Sequence, residues 1–138
     1  MTKYIPALSF LLFSLTANAQ QECHVDLAKV HGGVIMCLSK APLEQTVQAI
    51  FGHDQDTIFK LVHFGSSDTF KESKKDCLFV TNPDTKFTKI DVTTYDYDNR
   101  RGEIARLKRN GVDWFTFNEA LSCVEQDSQT PVSSEPQN

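Results

Sequence analysis

Apolar residues fall on one helical stripe over Lys40–Phe51, with Leu43, Val47, Ile50 and Phe51 at i, i+4, i+7 and i+8. Ser39 can cap its start. Pro42 suits a first turn, where the backbone N–H has no intrahelical partner. Gly52 can take the left-handed position that ends a helix. After Gly52 the pattern becomes that of strands. Thr57–Phe64, Cys77–Thr81 and Phe87–Tyr97 are rich in β-branched and aromatic residues. Within the last of these, Ile90 and Val92 alternate with Lys89, Asp91 and Thr93, the period of a half-buried strand. Asp98–Gly102 reads as a loop. Glu103–Arg109 and Val112–Asn118 flank Asn110-Gly111, a dipeptide favoured in type I′ hairpins because both central residues need positive φ. Upstream, Val25–Leu38 is ambiguous. Gly32-Gly33 breaks it, and Val34–Leu38 fits a buried strand or a second helical turn. The pattern predicts an α+β fold, with one short helix packed on a three- to five-stranded antiparallel sheet.

The two ends of the chain differ from this middle. Lys3, the apolar stretch Ile5–Leu15 and the small-x-small site Ala17-Asn18-Ala19 read as a secretory signal peptide over residues 1–19. Residues 20–125 read as a single globular domain. Residues 126–138 carry two prolines and one apolar side chain, so they are expected to form a disordered polar tail. Removing the leader removes Lys3 and no acid, which leaves 13 cations against 18 anions and a net charge of −5. That acidity argues against a dedicated DNA-coating protein. No second long apolar run follows the leader, so no membrane span is expected.

Cys23, Cys37, Cys77 and Cys123 all follow the leader. An even count in an exported chain of this size implies two disulfides. Three connectivities remain open. Position hints at Cys23 with Cys123, tying the ends of the domain together. No CxxC pair occurs, so no metal and no cofactor is expected.

Candidate chemistry is sparse. None of His24, His31, His53 and His63 pairs at metal or catalytic spacing. His63, in a strand-like run, reads as a core or edge histidine. Ser66-Ser67-Asp68 has no nucleophile-elbow context. Asp91, Asp96 and Asp98 lack calcium-loop spacing. One charge cluster stands out. Arg100, Arg101, Arg106, Lys108 and Arg109 place five of the 14 basic residues within ten positions, opposed only by Glu103. Arg106 and Lys108 share a parity, so they point the same way. Trp114 follows across the hairpin. These six residues form the candidate binding surface, suited to phosphate, RNA or an acidic protein surface.

The layout around Asp91-Val92-Thr93-Thr94-Tyr95, Arg101-Gly102-Glu103-Ile104, Asn110-Gly111, Phe117 and Cys123, with Cys23 and a single helix ahead of it, resembles the microbial guanyl-specific ribonucleases. It resembles still more the ribonuclease-like secreted effectors of plant-pathogenic fungi. In that family the final cysteine bonds near the N-terminus. The catalytic members use a carboxylate base and a late histidine acid. Here no histidine follows His63, the matching stretch is Leu107-Lys108-Arg109-Asn110, and Cys77–Thr81 and Phe87–Tyr97 contain no Glu. The resemblance therefore implies a member without catalysis. The expected function is a secreted, monomeric binding protein, a fungal virulence effector acting on a host protein or RNA, outside or inside the host cell. The alternatives are a bacterial periplasmic inhibitor or immunity protein, and a secreted ribonuclease or other hydrolase.

Overall fold

A computed structural model describes residues 20–125. The signal peptide and polar tail expected from the sequence lie outside the described residues. The strands are β1 (Gln21–Val25), β2 (Val34–Cys37), β3 (Val62–His63), β4 (Cys77–Val80), β5 (Phe87–Tyr97), β6 (Arg100–Arg109), β7 (Val112–Phe117) and β8 (Leu121–Glu125). The helices are α1 (Lys40–Phe51), α2 (Gln55–Leu61) and the single turn α3 (Phe70–Ser73), with 3₁₀ turns at Ser67–Thr69 and Asn118–Ala120. The strands form one sheet in the order β3-β4-β2-β7-β6-β5-β1-β8. Every described neighbour pair is antiparallel except β3 with β4. The α+β class and the two disulfides hold, but among the described residues a sheet of eight strands replaces the expected three to five, and three helices replace one.

Local chemistry explains both agreements and departures. α1 spans the expected residues and buries Leu43, Val47 and Ala49. Its end differs from expectation. Gly52 has φ −90°, and His53 takes the left-handed position at φ 55°. The Asp54 N–H then reaches Ala49 O at 2.8 Å and the His53 N–H reaches Ile50 O at 3.2 Å, a Schellman closure. Asp54 next starts α2. One carboxylate oxygen accepts the Thr57 N–H at 3.2 Å and the other the Thr57 hydroxyl at 2.6 Å. This cap turns the expected strand Thr57–Phe64 into a helix followed by a two-residue strand. Ile58, Leu61 and Val62 then share one core cluster. The expected loop Asp98–Gly102 is also shorter. Asp98 and Asn99 both have positive φ, 52° and 65°, and form a two-residue turn from which β6 runs directly. Asn110 and Gly111, at 52° and 78°, make the expected hairpin turn.

The sheet buries two clusters. On one face Cys37, Leu43, Leu61, Val62, Cys77 and Ile104 pack beneath α1 and α2. On the other, Cys23, Val25, Val34, Met36, Phe87, Ala105, Leu107, Ala120 and Leu121 are buried without any α-helical partner among them. Residues of β2, and Val80 of β4 at its margin, meet those of β1 and β8 in that cluster, so the sheet curls around it. It is called the inner face below, and the other the helix-covered face. Each holds one disulfide, and each bond joins residues directly opposite in paired strands. Cys23–Cys123 links β1 to β8, and Cys37–Cys77 links β2 to β4. Ladder pairing between β2 and β7 is confined to Cys37 opposite Phe115. The buried Thr116 hydroxyl supplements it by donating to Ile35 O at 2.8 Å.

Candidate functional site

Strand parity divides the basic run. β6 pairs with β7 through Leu107 opposite Trp114, Arg106 opposite Phe115, Lys108 opposite Asp113 and Arg109 opposite Val112. Arg106 and Lys108 therefore lie on the helix-covered side with Phe115 and Asp113. Leu107, Arg109 and Trp114 lie on the inner side. The six residues singled out in the sequence do not form one patch.

The cations on the helix-covered side are engaged. Arg106 reaches Asp113 at 3.1 Å and Asp91 at 3.3 Å. Lys108 Nζ stands 3.3 Å from Asp113 Oδ1, an ion pair without hydrogen-bond alignment. Burial pushes the Asp113 carboxyl up, but the Lys108 ammonium and Arg106 guanidinium overcome this and hold it below its ordinary value. Near the distal turn, Arg101 pairs with Asp96 at 3.0 Å. Arg100 lies over the Phe51 ring, 4.3 Å from its centroid, and that ring stacks on Tyr97. Among the described residues, Arg109 alone of the five cations has neither a carboxylate within 4.0 Å nor a ring beneath it.

Arg109 borders a cleft of about 320 Å³ on the inner face. Met36, Leu78, Phe79, Val80, Phe87, Val112 and Trp114 supply its apolar lining. Its polar lining comes from Arg109, Asn110, Asn82, Thr81, Thr85, Ser66 and Ser67, with no Asp, Glu, His or Lys. Phe70 of α3 backs the indole, their ring centroids 5.5 Å apart. An open recess adjoins the cleft, sharing Arg109, Asn110 and Thr85 with it, and has Glu22, Asp84, Lys86 and Lys108 in its wall. A second groove of about 270 Å³ runs beside α1 and is lined mainly by apolar side chains, including Val47, Ile50 and Phe51.

His63 does not line the cleft. Its Nε2 lies 2.9 Å from Thr69 Oγ1 and 3.2 Å from Ser66 O, which ties the ring to the adjacent loop. Among the described residues there is no group of three or more His, Cys, Asp or Glu placed to hold a metal, and no helix is long and apolar enough to cross a membrane.

The sequence reading missed Asn82, Thr85 and Asn110 at the cleft rim and Met36, Leu78 and Phe87 in its floor. One signal was available. Once Asn110-Gly111 is a two-residue turn, 109 must face 112 and 107 must face 114, so Trp114 belongs with Arg109 and not with Arg106. The contributions of β2, β4 and the segment after β4 had no such local signal. Comparison with protein-family models, with curated proteins and with solved structures finds no match to this chain.

Proposed function

We propose that the protein is an exported, non-catalytic binding protein, a virulence effector that acts on a host protein and engages it with the cleft end of the inner face. The observation that carries this reading is the place of Arg109, unpaired among the described residues, beside Trp114 at a cleft without acid or base. General acid–base chemistry needs groups that can exchange a proton near neutral pH, and this lining offers none. The ribonuclease-like layout belongs to the same reading, that of a scaffold acting by binding.

Electrostatics favours a protein over RNA as the partner. Binding a phosphate backbone requires several free cations. Here Arg101, Arg106 and Lys108 are already neutralised by aspartates. A protein interface needs less, because a few Arg and aromatic anchors carry most of its energy. Two disulfides accord with an oxidising destination.

Proximity labelling in host tissue tests the proposal. The wild type is expected to label host proteins that Arg109→Glu loses and that Lys60→Glu, an exposed control on α2, retains. An identical labelled set from all three chains would remove the cleft end from the function. Single-stranded RNA incubated with the purified protein is expected to stay intact. Cleavage that disappears in a folded His63→Ala variant would overturn the non-catalytic half of the reading.

A further inference from the structure

We propose that the cleft beside Arg109 receives the carboxyl terminus of a polypeptide that ends in apolar residues. This deepens the reading of a protein-binding end and rests on it. Three properties of the lining select that chemistry.

Met36, Leu78, Phe87 and Trp114 call for an apolar body. The Arg109 guanidinium calls for one negative charge, and its planar pair of donors matches a carboxylate. Asn82, Asn110 and Thr85 call for a ligand that both donates and accepts hydrogen bonds, as peptide groups do. A bare acyl chain would cover those amides and hydroxyls and leave them unpaired, which is costly. Size and surrounding charge narrow the class further. About 320 Å³ is at the small end of ligand pockets and suits one or two terminal residues. In the adjoining recess Glu22 and Asp84 are matched in number by Lys86 and Lys108, so the recess adds no net charge beyond that of Arg109, which suits one carboxylate. Capture of a chain terminus by a few convergent polar groups is a known mode of peptide recognition.

The chain has a single tryptophan, Trp114, and it stands in the cleft wall, so intrinsic fluorescence reports on this site. The disulfide-bonded protein is titrated with acetyl-Ala-Ala-Leu-Leu as the free acid, with the same peptide as its C-terminal amide, and with decanoate, with calorimetry in parallel. The acid is expected to give a saturable change, and the amide to bind at least about tenfold more weakly for want of the charged hydrogen bonds. Arg109→Gln is expected to bring the acid down to the level of the amide and leave amide binding unchanged, with an unaltered near-UV spectrum and thermal midpoint. Decanoate is expected to bind more weakly than the acid peptide.

Equal binding of acid and amide to the wild type overturns the proposal. So does decanoate binding at least as tightly as the peptide acid, or silence from every probe in both measurements. If no peptide binds and Arg109→Glu still erases host-protein labelling, the chain-terminus proposal falls and the binding end stands. If labelling is also unchanged, both fall.

Discussion

Lys108 and Arg109 are neighbours in sequence, yet the pleat of β6 sends them to environments of opposite character. On the helix-covered side, Lys108 and Arg106 close an ion-pair network with Asp91 and Asp113 above a core sealed by α1 and α2. On the inner side, Arg109 stands at a cleft whose walls are apolar or uncharged. The same residue type therefore does different things. Where carboxylates converge, a cation neutralises them and holds strands in place. Where none comes within ion-pair distance, its charge remains available to a ligand. A charge cluster in a sequence says how many cations exist, whereas strand parity and the neighbouring strands decide which of them are free.

The largest effects expected from probing this contrast concern the disulfides, one on each face. Cys23–Cys123 closes a separation of 100 residues and Cys37–Cys77 one of 40. In the chain-entropy model these are worth about 4.7 and about 3.9 kcal/mol respectively. Replacing each pair by alanines should therefore cost more on the inner face, as measured by urea unfolding. The reverse order would show that helix packing makes the helix-covered face depend more on its bond than chain entropy predicts.

Thr116→Val is next. It removes the hydroxyl donor to the Ile35 carbonyl at the sparsely paired β2–β7 seam. Losing one such hydrogen bond typically costs about 0.5–1.5 kcal/mol. A loss in that range, read by urea unfolding, would show that this side chain helps hold the two strands together.

The charge contrast itself gives smaller effects. Arg106→Gln should lower the urea midpoint, because Asp91 and Asp113 lose a shared partner. Arg109→Gln should leave stability within about 0.5 kcal/mol of wild type, as for most exposed substitutions. Equal losses from both variants would contradict the division of labour along β6.

The smallest effect is on pH dependence. The Asp113 carboxyl is held below its ordinary value, so its contribution is complete above about pH 4, the unfolded range, and is lost as pH falls through the folded value. Asp26 behaves alike. The Ser122 hydroxyl and then the Ala28 N–H hold its carboxylate low. Acid unfolding curves should flatten in Asp113→Asn and Asp26→Asn, and keep their wild-type shape in Arg109→Gln. An acid limb unchanged in Asp113→Asn would mean the network does not favour the charged form.

Patterns carried within one element were legible from residues alone. The stripe of Leu43 and Val47 marked α1, because a helix writes its buried face at every third or fourth position. β-branched and aromatic composition marked β5, although Val92 is exposed and Ile90 lies at a register shift, so alternation did not track burial there. Asn110-Gly111 marked the β6–β7 hairpin, because positive φ at both central positions restricts which residues serve. Four cysteines, an even count, pointed to two disulfides without choosing their partners. Tertiary structure decided what depends on distant segments. Thr57–Leu61 has strand-like composition, and the Asp54 cap together with the shared burial of Ile58, Leu61 and Val62 makes it a helix. β1 and β8 meet across almost the whole domain, so the width of the sheet could not be read from local runs. The cleft is assembled from β2, β4, β5, β6, β7, the loop after β3 and the segment between β4 and β5, and none of these implies the others. Whether Arg109 is free or paired depended on where the aspartates of β5 and β7 came to rest. Local periodicity arises from backbone geometry within a few residues. A site arises from contacts between segments whose approach is governed by the burial of the whole chain.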